Sequence, residues 1–211
     1  MLKPYRTIID RCEVEYIVNK SRFIGYLFPV ETEKEAEAEL LKIKKKHYDA
    51  THNCHAFVLK SGITRCSDDG EPSGTAGVPI LEVIKAKDLV NCLCVVTRYF
   101  GGVLLGAGGL VRAYSKTTAM AISEAKIFEY IPAKRIYFEL EYSMFNQLEP
   151  FLRENCEIDS IEYLEVVKIT ASIEESMMMR FSKALSEKSS GKITVNTLEN
   201  SYVSRRILAD L

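Results

Sequence analysis

The chain lacks any apolar run approaching the roughly 18 residues a membrane span requires, so no bilayer-crossing helix is expected. Its opening residues, MLKPYRTIIDRCEVEY, meet charge too early for a secretory signal. The six cysteines (Cys12, Cys54, Cys66, Cys92, Cys94 and Cys156) include no CxxC pair. With no export signal they are expected to be reduced, mostly buried thiols of a cytoplasmic protein. A large positive excess is missing too. Net charge is −1, with 18 basic and 16 acidic residues up to Tyr130 and 10 and 13 beyond it. That excludes the bulk electrostatics of non-specific nucleic-acid binding and leaves only a local basic face. Repeats and low-complexity tracts are absent. What remains is an ordinary globular composition, 47% hydrophobic and 27% charged over 211 residues, long enough for one large domain or two small ones.

Against that background one stretch is unusual. Val95–Ser115, VVTRYFGGVLLGAGGLVRAYS, places Gly101, Gly102, Gly106, Gly108 and Gly109 between a β-type and a helix-type run, with Arg98 before and Arg112 after. Glycines entering a helix leave the first-turn N–H groups open to an anion. The alternative is a tight strand-to-helix turn whose glycines permit close packing. No Gly-Lys-Ser/Thr follows, and there is no GxGxxG with a downstream ribose carboxylate, so no nucleotide cofactor is expected.

The periodicities predict two domains, 1–132 and 133–211. In the first, strands over 13–18 and 23–30 form a hairpin. Thr32 with Glu35 opens a helix as a capping box, and a strand covers 53–59. Residues 61–77 are polar and glycine-rich and read as a long loop, of the kind that is usually functional or disordered. A helix over 78–87, a doubly buried strand over 92–99 and a helix over 108–126 complete roughly four strands and three helices. After Ile131-Pro132 the pattern resets. A strand over 135–142, a helix over 143–155 shortened or kinked by Pro150, strands over 157–163 and 166–173, a helix carrying Met178, Phe181 and Leu185, and a strand over 192–198 follow. That βαββαβ order is the ferredoxin-like, split-βαβ arrangement, so the fold class is α+β.

Other candidate sites are weaker. In Asp68–Gly77, Asp68, Asp69 and Glu71 beside Ser73 and Thr75 could hold a hard cation or act in acid–base chemistry, but in so glycine-rich a loop they read first as turn-formers. His52-Asn53-Cys54-His55 invites a thiol or zinc reading. On a strand, however, His52 and Cys54 share a face while His55 points away, and no other cysteine has ligand spacing. No metal site is therefore expected, and His52 and Asn53 read as polar rim residues. Arg22-Phe23 and Arg98-Tyr99 pair a cation with an aromatic, as base-stacking sites do and as ordinary strands also do. The basic run Lys42, Lys44, Lys45, Lys46 reads as a solvated helix end complementing the dipole.

Four blocks, Lys20-Ser21-Arg22-Phe23-Ile24-Gly25, Ala50-Thr51-His52-Asn53-Cys54-His55-Ala56, Asp68–Gly77, and Thr97–Gly102 with Gly106–Tyr114, together resemble the IMPACT family, in the family's order. The resemblance implies an N-terminal domain with the fold of a ribosomal-protein domain and of domain IV of elongation factor G. It also implies a ferredoxin-like C-terminal domain like domain V of that factor. Eukaryotic members regulate translation by competing for the activator of a starvation-responsive kinase. Their extra N-terminal partner-binding domain is expected to have no counterpart here, because the shared blocks begin near residue 20.

The expectation is thus a cytoplasmic, non-catalytic regulator of translation or stress response that binds RNA, the ribosome or a translation-associated protein, with no membrane partner. The resemblance places the 68–77 loop near the glycine segment. The expected surface comprises Arg22, His52, Asn53, Asp68, Asp69, Glu71, Ser73, Thr75, Arg98, Tyr99, Gly101, Gly102, Gly106, Gly108, Gly109 and Arg112. Replacing Arg98 and Arg112 by alanine should then leave the fold intact and weaken RNA or ribosome association. Two alternatives stand beside it. One is a small metal- or thiol-dependent hydrolase acting on a phosphorylated or peptide substrate. The other is a protein-interaction module with an apolar patch on the C-terminal sheet.

Overall fold

The structure, a computed structural model, describes residues 2–207. It divides into two units, one built on Tyr5–Glu129 and the other on Tyr130–Arg205.

The first unit contains β1 (Tyr5–Ile8), β2 (Cys12–Val18), β3 (Ser21–Pro29), α1 (Glu33–Lys46), β4 (His52–Val58), β5 (Thr64–Ser67), α2 (Gly77–Ala86), β6 (Cys92–Tyr99) and α3 (Gly106–Glu124). Five of its strands form a sheet in the order β2-β3-β6-β4-β5, antiparallel throughout. Asn19 and Lys20, at φ of +46° and +62°, make the two-residue turn between β2 and β3, the mirror-image geometry that right-twisted hairpins prefer. β6 lies at the centre and is buried from Cys92 to Arg98, which its nearly unbroken apolar run dictates.

Alternation sorts the sheet into two faces. Phe23, Leu27, Cys54, Ala56, Cys94 and Val96 pack with Ile80 of α2 and Tyr114 of α3. Ile24, Tyr26, Phe28, Phe57, Leu93 and Val95 pack with Ala36 and Ile43 of α1. The entry to α1 is capped as its sequence predicts. Thr32 accepts from the Glu35 amide at 3.2 Å, and the Glu35 carboxylate accepts from the Glu31 amide at 2.7 Å.

β7 (Ile127–Leu140) begins in the first unit and continues into the second. There it is followed by α4 (Tyr142–Asn155), β8 (Glu157–Tyr163), β9 (Val167–Glu174), α5 (Met178–Lys188) and β10 (Asn196–Ile207). The order is βαββαβ. β9 lies between β7 and β8, and β10 also pairs with β7. Ile136, Phe138, Ile169 and Ala171 pack on Phe145, Leu148, Leu152, Phe181 and Leu185. The opposite face of β7 and β9 carries the register pairs Arg135–Ser172, Tyr137–Thr170 and Glu139–Lys168. It is laced by ion pairs from Arg135 to Asp159 and from Lys168 to Glu139, so it is not the apolar patch that an interaction module would show there.

The mixed α/β fold class holds, but several elements differ from expectation. β1 and β5 were not anticipated, because four-residue strands carry too little alternation to read, and β5 is mostly exposed. β7 runs straight through Ile131-Pro132, whose extended backbone a strand tolerates. α4 likewise continues past Pro150 to Asn155. The last strand occupies Asn196–Ile207 rather than 192–198. Ile193 and Val195 do pack into the core, but from outside any strand.

Candidate functional site

One row of the first sheet runs Phe23–Arg98–His52 across β3, β6 and β4, on the face covered by α2 and α3. In the next rows that face holds Gly25–Val96–Cys54 and then Leu27–Cys94–Ala56. Alternation therefore places a cation and an imidazole at the end of an apolar face, where Arg98 is only 5% exposed. An unpaired guanidinium there would be costly. Glu71 supplies the partner, its Oε1 accepting from Arg98 Nη1 at 2.7 Å and from the Tyr114 hydroxyl at 2.8 Å. The Glu71 side chain is 3% exposed, and its Oε2 lies 3.7 Å from His52 Nε2. The guanidinium also sits over the rings of Phe23 and Phe100 at 5.4 and 5.5 Å. Phe23 in turn meets Tyr114 edge-on at 5.2 Å.

The loop that delivers Glu71 is as tightly built. Asp68 Oδ1 accepts from the amides of Ala76 and Gly77 at 3.0 and 2.8 Å, and Oδ2 accepts from Gly74 at 2.9 Å. Burial alone would raise its pKa, but the amides of Gly74, Gly77 and Ala76 outweigh it and hold the carboxylate below its ordinary value. Asp69 accepts from Lys44 Nζ and from the Asn53 amide, both at 2.7 Å. It too is held low, with burial opposed first by Lys44 and then by Asn53. The Asp69 carbonyl lies 2.8 Å from His52 Nδ1. Cys54 donates to the Asp68 carbonyl at 2.9 Å, and burial pushes its thiol up to about 12. Burial also raises the Tyr114 phenol far above its ordinary range.

Several expected surface residues are therefore interior ones. Asn53, Glu71, Thr75 and Arg98 are buried. Asn53 Oδ1 accepts from Thr97 at 2.8 Å, and the Thr75 hydroxyl donates to the Pro72 carbonyl at 2.6 Å. Tyr99 is half-buried, its hydroxyl 2.8 Å from His47 Nδ1 and 3.1 Å from Asp49 Oδ1. Arg98 is not a surface cation, so the Arg98→Ala and Arg112→Ala pair would not leave the fold intact. Removing Arg98 strands a buried carboxylate, at about 3–5 kcal/mol. The reason is the doubly covered central strand, which puts both faces of β6 inside.

The glycine segment is different. Gly101 has a packing reason, because a Cβ there would lie 2.0 Å from the backbone carbon of Lys20. Gly102 has a conformational one, φ of +82°. Gly108 has neither. It is exposed, has ordinary helical backbone, and a Cβ there would meet only the Arg112 guanidinium at 3.8 Å. At Gly109 a Cβ would press on Leu105 at 3.0 Å. Gly106, at φ of +69°, begins α3, whose N-cap residue Leu105 offers no side-chain acceptor. The exposed Arg112 lies on the same helix. Arg22 is exposed on neighbouring β3 and paired with Glu15 at 2.7 Å, and Ser73 is exposed in its loop. Phe100, Val103 and Leu104 project to solvent, Leu104 being 87% exposed. Sequence reading missed these apolar tips, and it missed Tyr114, Lys44 and Ser21 as partners. Ser21 accepts from the Gly101 amide at 3.2 Å.

Among the described residues, no cluster of three or more His, Cys, Asp or Glu side chains is arranged to hold a metal, and no helix is long and apolar enough to cross a membrane.

Comparison with known proteins adds identity to this geometry. Residues 19–122 match the Impact N-terminal domain, and residues 138–192 match a domain of unknown function, DUF1949. The chain is 40% identical to the IMPACT family member YvyE of Bacillus subtilis, over 98% of this chain and 97% of that protein. It is 31% identical to the IMPACT family member YigZ of Escherichia coli, over 86% and 92%. Human Protein IMPACT is 34% identical over 41% of this chain but only 29% of its own length. A crystal structure described as a hypothetical protein superposes with a TM-score of 0.60 at 28% identity, over 94% of this chain and 99% of that one.

Proposed function

The chain belongs to the IMPACT family, and from that premise we propose that it is a non-catalytic regulator of translation that binds structured RNA, ribosomal RNA included, through the Gly101–Arg112 segment. The observation that carries this reading is Gly108. An exposed glycine in a helix costs up to about 1 kcal/mol relative to alanine, and neither packing nor backbone conformation requires one here. A helix start without a side-chain cap, stripped of Cβ atoms at Gly106 and Gly108, lets a phosphate reach the first-turn amides, and Arg112 follows one turn on. The resemblance to the eukaryotic IMPACT proteins supports the translational context.

The hydrolase reading lacks its reactive groups. The Cys54 thiol is buried and far from ionising at neutral pH, and Asp68 and Asp69 are each engaged on both carboxylate oxygens. A second reading draws on the exposed Val103 and Leu104. A translation-associated protein, rather than RNA, would seat those side chains.

Co-sedimentation with purified ribosomal subunits, and gel shift on structured ribosomal RNA fragments, test the proposal. Wild type should bind, and Gly108→Ala and Arg112→Ala should each weaken binding while melting at or above the wild-type temperature. Arg112→Ala should also lower the salt slope by about one. Equal binding by all three proteins removes the site. Loss of binding only on Leu104→Ser, insensitive to RNase in lysate capture, favours the protein partner.

A further inference from the structure

Alternation carries the sheet face of Arg98 two residues further, to Phe100, just beyond the end of β6. The helix that covers this face, α3, begins only at Gly106, and the Phe100 ring is 46% exposed. Its inner side is occupied by the buried Arg98 guanidinium, which sits over both this ring and the interior ring of Phe23. Because that cation lies on the protein side, the surface that Phe100 keeps in water is its opposite face and edge. The backbone beneath is clamped from both neighbouring strands. The Phe100 amide donates to Thr51 Oγ1 at 3.0 Å, and the Thr51 amide donates to the Arg98 carbonyl at 2.9 Å. On the other side Ser21 holds the Gly101 amide. A ring fixed in this way loses little freedom on receiving a flat partner.

The surroundings fix the sign of that partner. Lys20, whose backbone abuts Gly101, is exposed. So are Arg112 and Lys116, which continue the Gly108 stripe of α3 at intervals of one turn. None of these three cations has an ion pair among the described residues. The carboxylates at the ends of the same strands are already engaged, Glu71 by Arg98 and Glu15 by Arg22. An aromatic face beside unneutralised cations is the means by which unpaired nucleic acid is gripped, base on ring and phosphate on cation. A protein ligand seated on Leu104 would use the apolar area and leave these cations unpaired.

We propose that the RNA taken by this segment is one that offers an unpaired nucleotide, in a bulge or loop, whose base stacks on Phe100 while its flanking phosphates meet Lys20 and Arg112. Such a ligand narrows the RNA reading above, on which it rests. A fully paired A-form helix presents its phosphates but keeps its base faces stacked inside, so it would satisfy the cations and leave the ring unused. A leucine at position 100 would still shield the Arg98 guanidinium from water, so covering that cation does not by itself call for an aromatic ring.

Fluorescence anisotropy of the full chain with two end-labelled RNAs tests it: a fully paired duplex, and the same duplex carrying one unpaired 5-iodouridine. The bulged RNA should bind about tenfold more tightly, the factor for one base–aromatic stack, and ultraviolet crosslinking should join the iodouridine to Phe100. Phe100→Leu should lose the preference for the bulge with its salt slope unchanged, and Phe100→Tyr should retain the preference. Arg112→Ala should do the reverse, lowering the salt slope on both RNAs while keeping the preference. Equal binding of the two RNAs by wild type overturns the stacking proposal and leaves the RNA reading standing, whereas binding of neither removes both. A crosslink that maps away from Phe100, or a folded Phe100→Leu protein that keeps the preference, also overturns it.

Discussion

The loop at 68–77 and the segment at 101–112 look alike as sequence, each glycine-rich and each following a strand. In the fold they are opposites. The first turns its polar groups inward. Asp68 binds three backbone amides, Asp69 binds Lys44 and Asn53, and Glu71 is buried between Arg98 and Tyr114. The second turns its amides outward at the start of α3 and keeps a glycine at 108 that no neighbour demands. Titratable residues that would attract attention in a catalytic search are thus consumed as scaffold, while the available chemistry is main-chain N–H. A binding surface can be recognised by what the fold leaves unexplained as well as by what it gathers.

Substitutions can break that contrast, beginning with the largest expected effect. Arg98→Ala should destabilise the chain by about 3–5 kcal/mol in urea unfolding, because Glu71 is left buried without its cation. If Arg98→Ala costs under about 1 kcal/mol, the inward network is not structural and the comparison collapses. Gly101→Ala should cost about 1–3 kcal/mol, since the new methyl meets the Lys20 backbone rather than a movable side chain. Asp68→Asn should cost about 2 kcal/mol at neutral pH through its three amide bonds.

The same carboxylates set a pH dependence. Asp68 and Asp69 have native pKa values below their unfolded ones, so their stabilisation is present above the unfolded value of about 3.9 and is lost as pH falls through the native values. An acid titration of stability should therefore show a steep limb below about pH 4 that flattens in Asp68→Asn. An unchanged limb would mean other groups carry it. Smallest of all, Gly108→Ala should raise stability by up to about 1 kcal/mol, measurable as a higher urea midpoint, while weakening RNA binding. A loss of stability there would show that Gly108 is a packing residue after all.

Much of the fold was legible because it followed local rules. The strand at Cys92–Tyr99 is bounded as its apolar run indicates, and the Thr32–Glu35 cap starts α1 where its spacing says. Short or exposed elements were not legible. β5 is Thr-Arg-Cys-Ser, with no alternation for water to impose, and it exists because β4 offers a free edge. The candidate site was half legible. Its four sequence blocks do supply the residues, but which of them face outward was not decided by spacing. Arg98 and Arg112 look equivalent as flanking arginines. One lies in a row between Phe23 and His52 under two helices, and the other lies on the outer side of α3.

What the sequence alone determined about the glycine segment is that it is no standard nucleotide loop, because the Lys and carboxylate such loops need at fixed spacing are absent. It also determined the two periodicities, and with them the α+β class. The tertiary structure decided which glycines are forced and which charges are spent. Gly101 is compelled by the Lys20 backbone, 80 and more residues away in the chain as the Ser21 bond to the same amide shows, and Gly108 is compelled by nothing. Burial and pairing arise from contacts between distant segments, so local spacing can nominate a residue but only its surroundings assign it to scaffold or to surface.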